Sequence, residues 1–257
     1  MSAASLVRTE IRGRAAWLTL ASPRNRNALS AAMIEALEAY LHEFGADPEL
    51  RAIVLTGEGR AFCSGADLKG GAAAGEMTPG EEHPFVRLLR CIWEGPKPVI
   101  AAVNGPAYGG GIGLVAASDI AIAADEARFA FNEVRVGVIP ALISVVVLPK
   151  IGVQETMRLF LTGARFDAAE ARAHGLVHRV VPLVRLHEAV EEELDLIAQG
   201  GPRAVSEAKR LVREVSRLPE EEAFRLAAER IRELFASDEA AEGMAAFLEK
   251  RPAAWTR

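Results

Sequence analysis

Two glycine-containing loops and one glutamate are the residues of this chain best placed to do chemistry. The first loop reads Ala61-Phe62-Cys63-Ser64-Gly65-Ala66-Asp67-Leu68 and the second Gly109-Gly110-Gly111; each follows an apolar run and leads into a stretch of helical composition. Loops of this kind leave backbone N–H groups unpaired and aimed at one place, where a negatively charged oxygen can be held. Glu133, in a later apolar segment, can supply acid–base chemistry. Together they suit an enzyme that polarises a carbonyl and moves a proton.

Other chemistries fit less well. Gly111-Ile112-Gly113-Leu114-Val115-Ala116 matches the G-x-G-x-x-A form of the dinucleotide fingerprint, but Asn104-Gly105-Pro106-Ala107-Tyr108 intervenes where a strand should run straight into the turn. Among the five histidines, only His174 and His178 stand four apart; Gly175 lies between them and no carboxylate is suitably spaced, so no metal site is expected. Cys63 has no recognisable histidine partner and reads as a packed thiol, and Cys63-Ser64-Gly65 is not the G-x-S-x-G of a serine hydrolase.

The elements that must position these loops alternate strand and helix. Residues 6–11 and 15–20 read as a hairpin over Gly13. Residues 30–44 carry apolar side chains at Met33, Ile34, Leu37, Leu41 and Phe44, a helical spacing, with Ser30 as N-cap. Residues 51–56, 98–103 and 120–123 are buried strands, so an α/β fold with a largely parallel sheet is expected. Residues 136–148 are ambiguous: Val145-Val146-Val147 favours strand, whereas the length suits a helix entered through Pro140. Residues 70–83, rich in Gly, Ala, Glu and Pro, read as a mobile loop beside the first anion loop. From Leu183 onward, 183–198, 204–215, 219–235 and 239–250 all show helical periodicity, which predicts a helical C-terminal portion covering the site or an oligomer interface.

Length and composition set the bounds. The 257 residues, 50% of them hydrophobic and 25% charged, describe a globular chain with a large core. A net charge of −5 argues against nucleic acid or an anionic membrane as partner. The uncharged segment 98–118 is interrupted by Asn104, two prolines and five glycines, which fits a buried strand–loop–helix and not a membrane span. Two cysteines and the absence of a leader-like apolar stretch point to a cytoplasmic setting.

Four motifs, in order along the chain, resemble the enoyl-CoA hydratase/isomerase (crotonase) superfamily. They are the turn Pro23-Arg24-Asn25-Arg26-Asn27-Ala28-Leu29-Ser30, the loop Gly59–Lys69, the run Pro98–Gly111 and the ending Glu242–Arg251. The resemblance implies a spiral of ββα units over 1–195 with the acyl-CoA site. A helical oligomerisation region over 196–257 follows, giving a homotrimer or homohexamer. It also implies an acyl-CoA thioester as substrate with no separate cofactor, and fatty-acid β-oxidation as one setting. The backbone N–H groups of Ala66 and Gly110 would form the oxyanion hole. Arg24 and Arg26 would face the CoA phosphates, Ala28, Ser64, Asp67 and Leu68 would line the ligand, and Lys250 would reach a neighbouring subunit's CoA.

One departure bears on the reaction. Hydratases of this family carry two glutamates around one water; the second matches Glu133, but the position of the first, three residues after the oxyanion glycine, is Gly113. The stretch Asn132–Ser144 resembles bacterial hydratases acting on branched or glutaconyl-type CoA esters, which also show glycine there. Three readings follow: hydration of a 2-enoyl-CoA using Glu133 alone, Δ3-to-Δ2 enoyl-CoA isomerisation, and acyl-CoA binding without turnover. Hydration is favoured.

Overall fold

The computed structural model describes residues 6–67 and 81–256. Leu68 and most of the 70–83 loop lie outside the described residues. The chain opens with the hairpin β1 (Val7–Arg12) and β2 (Ala15–Leu20), followed by helix α1 (Ala31–Ala46), strand β3 (Ala52–Gly57), helix α2 (Pro84–Glu94) and strand β4 (Val99–Val103). The two-residue β5 (Ala107–Tyr108) then precedes helix α3 (Gly110–Ala117) and strands β6 (Ile120–Ala124) and β7 (Arg128–Ala130). A 3-10 turn (Glu133–Val136) leads to helices α4 (Ala141–Ile151) and α5 (Val153–Thr162), strand β8 (Arg165–Asp167), helix α6 (Ala168–Ala173) and strand β9 (Arg179–Val181). The last helices are α7 (Leu186–Gln199), α8 (Pro202–Val215), α9 (Glu220–Phe235) and α10 (Asp238–Glu249).

Six strands form one sheet in the order β1-β2-β3-β4-β6-β9, parallel throughout except for the opening hairpin. Both faces are covered over β2, β3, β4 and β6, which is why these strands are almost continuously apolar, whereas the edge strand β1 is mostly exposed. Ala16, Leu18, Ile53, Leu55, Val99 and Ala101 pack into the main core with α1, α2 and α3. The alternate residues Trp17, Val54, Ile100 and Ile122 face Leu186, Ala189, Val190 and Leu194 of α7. A small second sheet, β5-β7-β8, is stacked through Phe129 and Phe166, whose ring centroids lie 5.4 Å apart.

The expected elements over 6–20, 30–44, 51–56, 98–103 and 120–123 are all present, and Ser30 Oγ accepts from the Met33 N–H at 3.3 Å. The ambiguous 136–148 stretch is resolved as helix from Ala141. Ile143, Val146, Val147 and Ile151 form a buried helical stripe while Val145 faces outward, so the 3.6-residue period outweighs the strand preference of three valines. Helices α2, α5 and α6 and the strands β5, β7, β8 and β9 add to the elements read from sequence. Strands of two or three residues are too short to display an alternation.

The helices after α7 are of a different kind. No residue of α8 or α9 is buried, and α10 buries only Ala246. α8 is held by charge: Asp119, ahead of β6, receives Lys209 at 2.8 Å and Arg213 at 2.6 Å. No helix among the described residues is long and apolar enough to cross a membrane.

Candidate active site

Strands β3 and β4 are parallel neighbours, so the loops that follow them leave the same end of the sheet side by side. Backbone bonds stitch them together. The N–H groups of Phe62 and Cys63 donate to Pro106 O at 3.1 and 3.2 Å, and Tyr108 N–H donates to Cys63 O at 2.9 Å. Asn104 ties the loop bases, accepting from Gly57 N–H at 3.1 Å and donating to Gly59 O at 3.1 Å. The crossing is too close for side chains: a Cβ on Gly111 would stand 2.4 Å from Cys63 O. Cys63 itself is fully buried, and burial pushes its thiol up to about 12, as a packed and unreactive cysteine requires.

This close approach brings the two candidate donors together. Gly65 has φ +91, and a Cβ there would stand 2.8 Å from Tyr108 O and 3.4 Å from the Gly110 nitrogen. Ala66, the next residue, forms a parallel bridge with Leu29 through its neighbours: Leu29 N–H donates to Gly65 O at 2.8 Å and Asp67 N–H to Leu29 O at 3.1 Å. Ala66's own N–H therefore points to the opposite, exposed side. Among the described residues no backbone carbonyl accepts from Ala66 N–H or Gly110 N–H. Gly110 is the first residue of α3, where an orphan donor and the positive end of the helix coincide.

Glu133 lies against the same loop. Gly109 N–H donates to Ala130 O at 3.1 Å, docking the loop on the end of β7, and Glu133 stands three residues further on. Its carboxylate fills the space over Gly109, where a Cβ would meet Oε1 at 2.9 Å and Oε2 at 3.7 Å. Gly109 also has φ +48, so glycine is needed there on two counts. Glu133 Oε2 is buried with no hydrogen-bond partner, and desolvation raises the pKa of the carboxyl against a smaller lowering by its own backbone N–H.

Gly113, on the next turn of α3, is buried among apolar side chains. A Cβ there would meet Ile143 Cγ2 at 2.5 Å and Phe85 Cζ at 3.3 Å, and a Cβ on Gly110 would meet Leu29 Cδ1 at 3.2 Å and Phe85 Cζ at 3.4 Å. Phe85 from α2, Ile143 from α4 and Leu29 thus form a hydrocarbon wall along Gly110 and Gly113.

The remaining candidates divide. Ser64 and Arg26 line one small pocket of about 170 Å³ together with Pro23, Arg60, Ala61, Pro106 and Tyr108. Arg24 and Arg26 are exposed, Ala28 is buried, and Ser64 Oγ donates to Asn25 O at 3.1 Å. Asp67 contributes its backbone to the Leu29 bridge. Leu68 is outside the described residues. Lys250 caps α10 in the left-handed region, φ +53. The adjoining Trp255 is bonded through its carbonyl to Arg14 and through its indole N–H to Gln199, at the end of the sheet where β2 begins. Within one chain Lys250 is therefore not brought to the loops.

Sequence reasoning did not single out Phe85, Ile143 or Asn27. Fully buried Asn27 accepts from Ser22 N–H at 2.9 Å and donates to Glu58 O at 3.0 Å and Ala61 O at 2.8 Å, fastening the early turn to the first loop. A signal for it exists: an asparagine inside a conspicuous turn, which here adopts φ +57.

Residues 10–257 match the family model described as enoyl-CoA hydratase/isomerase. The chain belongs to the enoyl-CoA hydratase/isomerase family. It is 36% identical to an enoyl-CoA hydratase of Mycobacterium tuberculosis, over 94% of this chain and 93% of that one. It is 38% identical to a carnitinyl-CoA dehydratase of Citrobacter koseri, over 93% of each. The crystal structure of an enoyl-CoA hydratase from Shewanella pealeana superposes with a TM-score of 0.91 at 30% identity, covering 97% of this chain and 96% of the other. The fold is thus that of the crotonase enzymes, and a family member of this kind is an enzyme that works on acyl-CoA thioesters.

Proposed function

We propose that the protein is an enoyl-CoA hydratase that adds water across the 2,3 double bond of a 2-enoyl-CoA with Glu133 as its single acid–base group. The observation that carries this reading is the contact between the Glu133 carboxylate and Gly109, one residue from the Gly110 donor. Proton transfer and oxyanion stabilisation then share one loop. The thioester oxygen accepts from Ala66 N–H and Gly110 N–H, which draws electron density from C3; each such donor contributes about 3 kcal/mol to the transition state. The Glu133 carboxylate takes a proton from water as the hydroxyl oxygen bonds to C3, and the resulting acid returns that proton to C2 as the enolate collapses. Burial suits it to both halves, since a carboxylate with a raised pKa is a stronger base and a longer-lived acid near neutrality. Dehydration of a 3-hydroxyacyl-CoA is the same path reversed, so the carnitinyl-CoA dehydratase likeness is compatible with it.

The wall of Leu29, Phe85 and Ile143 supports an apolar acyl group, a branched one included, over the carboxylated glutaconyl type, for which it offers no polar partner. The same wall favours a second reading, Δ3-to-Δ2 isomerisation, because it offers water no second hydrogen-bond acceptor and one carboxylate suffices to carry a proton between C2 and C4. CoA itself arrives with the substrate, Arg24 and Arg26 meeting its phosphates. Self-association into a trimer or hexamer is supported by the large apolar side chains left open on α9 and α10, Phe224, Phe247 and Leu248 among them, and it would give Lys250 a neighbour's CoA to reach. Incubation with crotonyl-CoA, 3-methylglutaconyl-CoA and a 3-enoyl-CoA decides among the readings. Hydration removes the conjugated thioester absorbance and yields 3-hydroxyacyl-CoA. Isomerisation creates that absorbance from the 3-enoyl substrate. Silence on all three with CoA still bound would leave a binding protein.

A further inference from the structure

Away from the oxyanion loops, α1 and α2 bring together three side chains of a different chemistry. Glu38 and His42 stand one turn apart on α1, and Cys91 faces them from α2. His42 Nε2 lies 3.3 Å from Cys91 Sγ, and a Glu38 oxygen, this nitrogen and this sulfur all fall within 4.8 Å of one another. Among the described residues no other three His, Cys, Asp or Glu side chains converge in this way. A cavity of about 400 Å³ opens beside His42 and Cys91, with Gly45, Glu94 and Pro96 also in its wall.

We propose that Glu38, His42 and Cys91 form a binding site for a thiophilic divalent cation, with Zn²⁺ the ion that fits best. One sulfur, one imidazole nitrogen and one carboxylate oxygen are the donor types zinc takes, whereas magnesium and calcium require shells built of oxygen. Zinc bond lengths at a tetrahedral angle separate sulfur from nitrogen by about 3.5 Å, close to the 3.3 Å found here. The cavity leaves the fourth position to water. Arg87 supplies the outer support such ligands need: its Nε and Nη2 donate to the two Glu38 oxygens at 3.0 and 3.3 Å. Turning one oxygen toward the ion leaves the other on the guanidinium. Binding displaces the Cys91 thiol proton to solvent, so affinity rises with pH. A sequence search for paired histidines passes over this set because its third member is 49 residues from His42.

The test is a Co²⁺ titration of the intact, reduced protein, followed by Zn²⁺ competition. One Co²⁺ per chain is expected, with a near-ultraviolet thiolate-to-cobalt band that Zn²⁺ abolishes. Cys91→Ser removes the band, His42→Ala weakens binding by more than the about 10- to 100-fold typical of losing an outer partner, and Arg87→Gln falls within that range. Melting curves of the metal-free variants establish that they are folded; His42 is exposed and Cys91 only half-buried, so neither change opens the core. A native protein with no thiolate band overturns the proposal. So does a band that survives in Cys91→Ser, which would assign it to Cys63, or unchanged affinity in folded His42→Ala.

Discussion

The two flanks of the α3 N-terminus are built from opposite materials. On one side Gly109 leaves room for the Glu133 carboxylate, which is half-buried and has an unpartnered oxygen. On the other, Gly113 leaves room only for Ile143 and Phe85. Both glycines make space, but one admits a titratable group and the other hydrocarbon. The missing first glutamate is therefore more than a substitution at one position. The residues around Gly113 have closed over the place, and the proposed reaction is left with Glu133 as its one proton carrier.

The largest effect should come from the polar flank. Glu133→Gln keeps the shape over Gly109 and removes the base; kcat should fall about 10²- to 10⁴-fold while the KM for acyl-CoA stays within a few-fold. Steady-state kinetics check this, and full activity in the variant would remove Glu133 from the mechanism. The same variant has a stability signature. Burial raises the native pKa of Glu133, so between the ordinary carboxylate range and that raised value the native state holds more protons than the unfolded chain. Wild-type stability from this group is thus greatest at low pH and is lost as pH rises through the native pKa. Glu133→Gln has no such loss, and its melting temperature should pull ahead of wild type with rising pH.

The apolar flank makes a contrasting prediction. Gly113→Glu restores the carboxylate that hydratases of the family carry there, and would raise hydration of a simple 2-enoyl-CoA only if the loop had room. The 2.5 Å separation from Ile143 Cγ2 shows that it does not. The variant should lose about 3 kcal/mol of stability through overpacking and an unpaired buried charge, read as a lowered melting temperature, and gain no activity. Adding Ile143→Ala opens the space, and the double variant should recover part of the lost stability. A single variant as stable and active as wild type would break the comparison between the flanks.

Asn27 tests the frame that both flanks depend on. Asn27→Ala leaves Ser22 N–H and the carbonyls of Glu58 and Ala61 without this partner, and should cost about 2 kcal/mol in chemical denaturation. Loosening of the first loop should also raise KM. An unaltered denaturation midpoint would show that the turn is held by other means.

How much of this was legible in the residues depended on range. The two loops and Glu133 were visible because each has a local signature: glycines after an apolar run, or a carboxylate in an apolar stretch. The large strands and the C-terminal helices were visible because their periodicity extends over several residues. Phe85 and Ile143 could be assigned to segments near the pocket but not singled out, since an aromatic or aliphatic residue on a helix reads as core whichever cavity it fills. Their role is set by the packing of α2 and α4 against Gly113, a contact between segments far apart in the chain. Helix α4 shows the same limit locally, where three consecutive valines pointed toward strand until the buried stripe from Ile143 to Ile151 decided for helix.

The smallest predicted effect concerns the basic residues of the early turn. Arg24 and Arg26 are exposed, and Arg26 shares a pocket with Ser64 on the rim of the first loop. Charges in this setting are well solvated, and a pair between exposed groups contributes about 0.2–1 kcal/mol. Arg24→Ala and Arg26→Ala should accordingly raise the KM for acyl-CoA only a few-fold each and leave kcat unchanged. Because the attraction is between solvated charges, added salt should raise the wild-type KM and shrink the gap to the variants. The comparison with a truncated thioester sharpens the assignment: an acyl-pantetheine without the nucleotide phosphates should be turned over equally by wild type and both variants. Equal losses on the truncated and full-length substrates would place these arginines away from the phosphates and return them to the solvated surface.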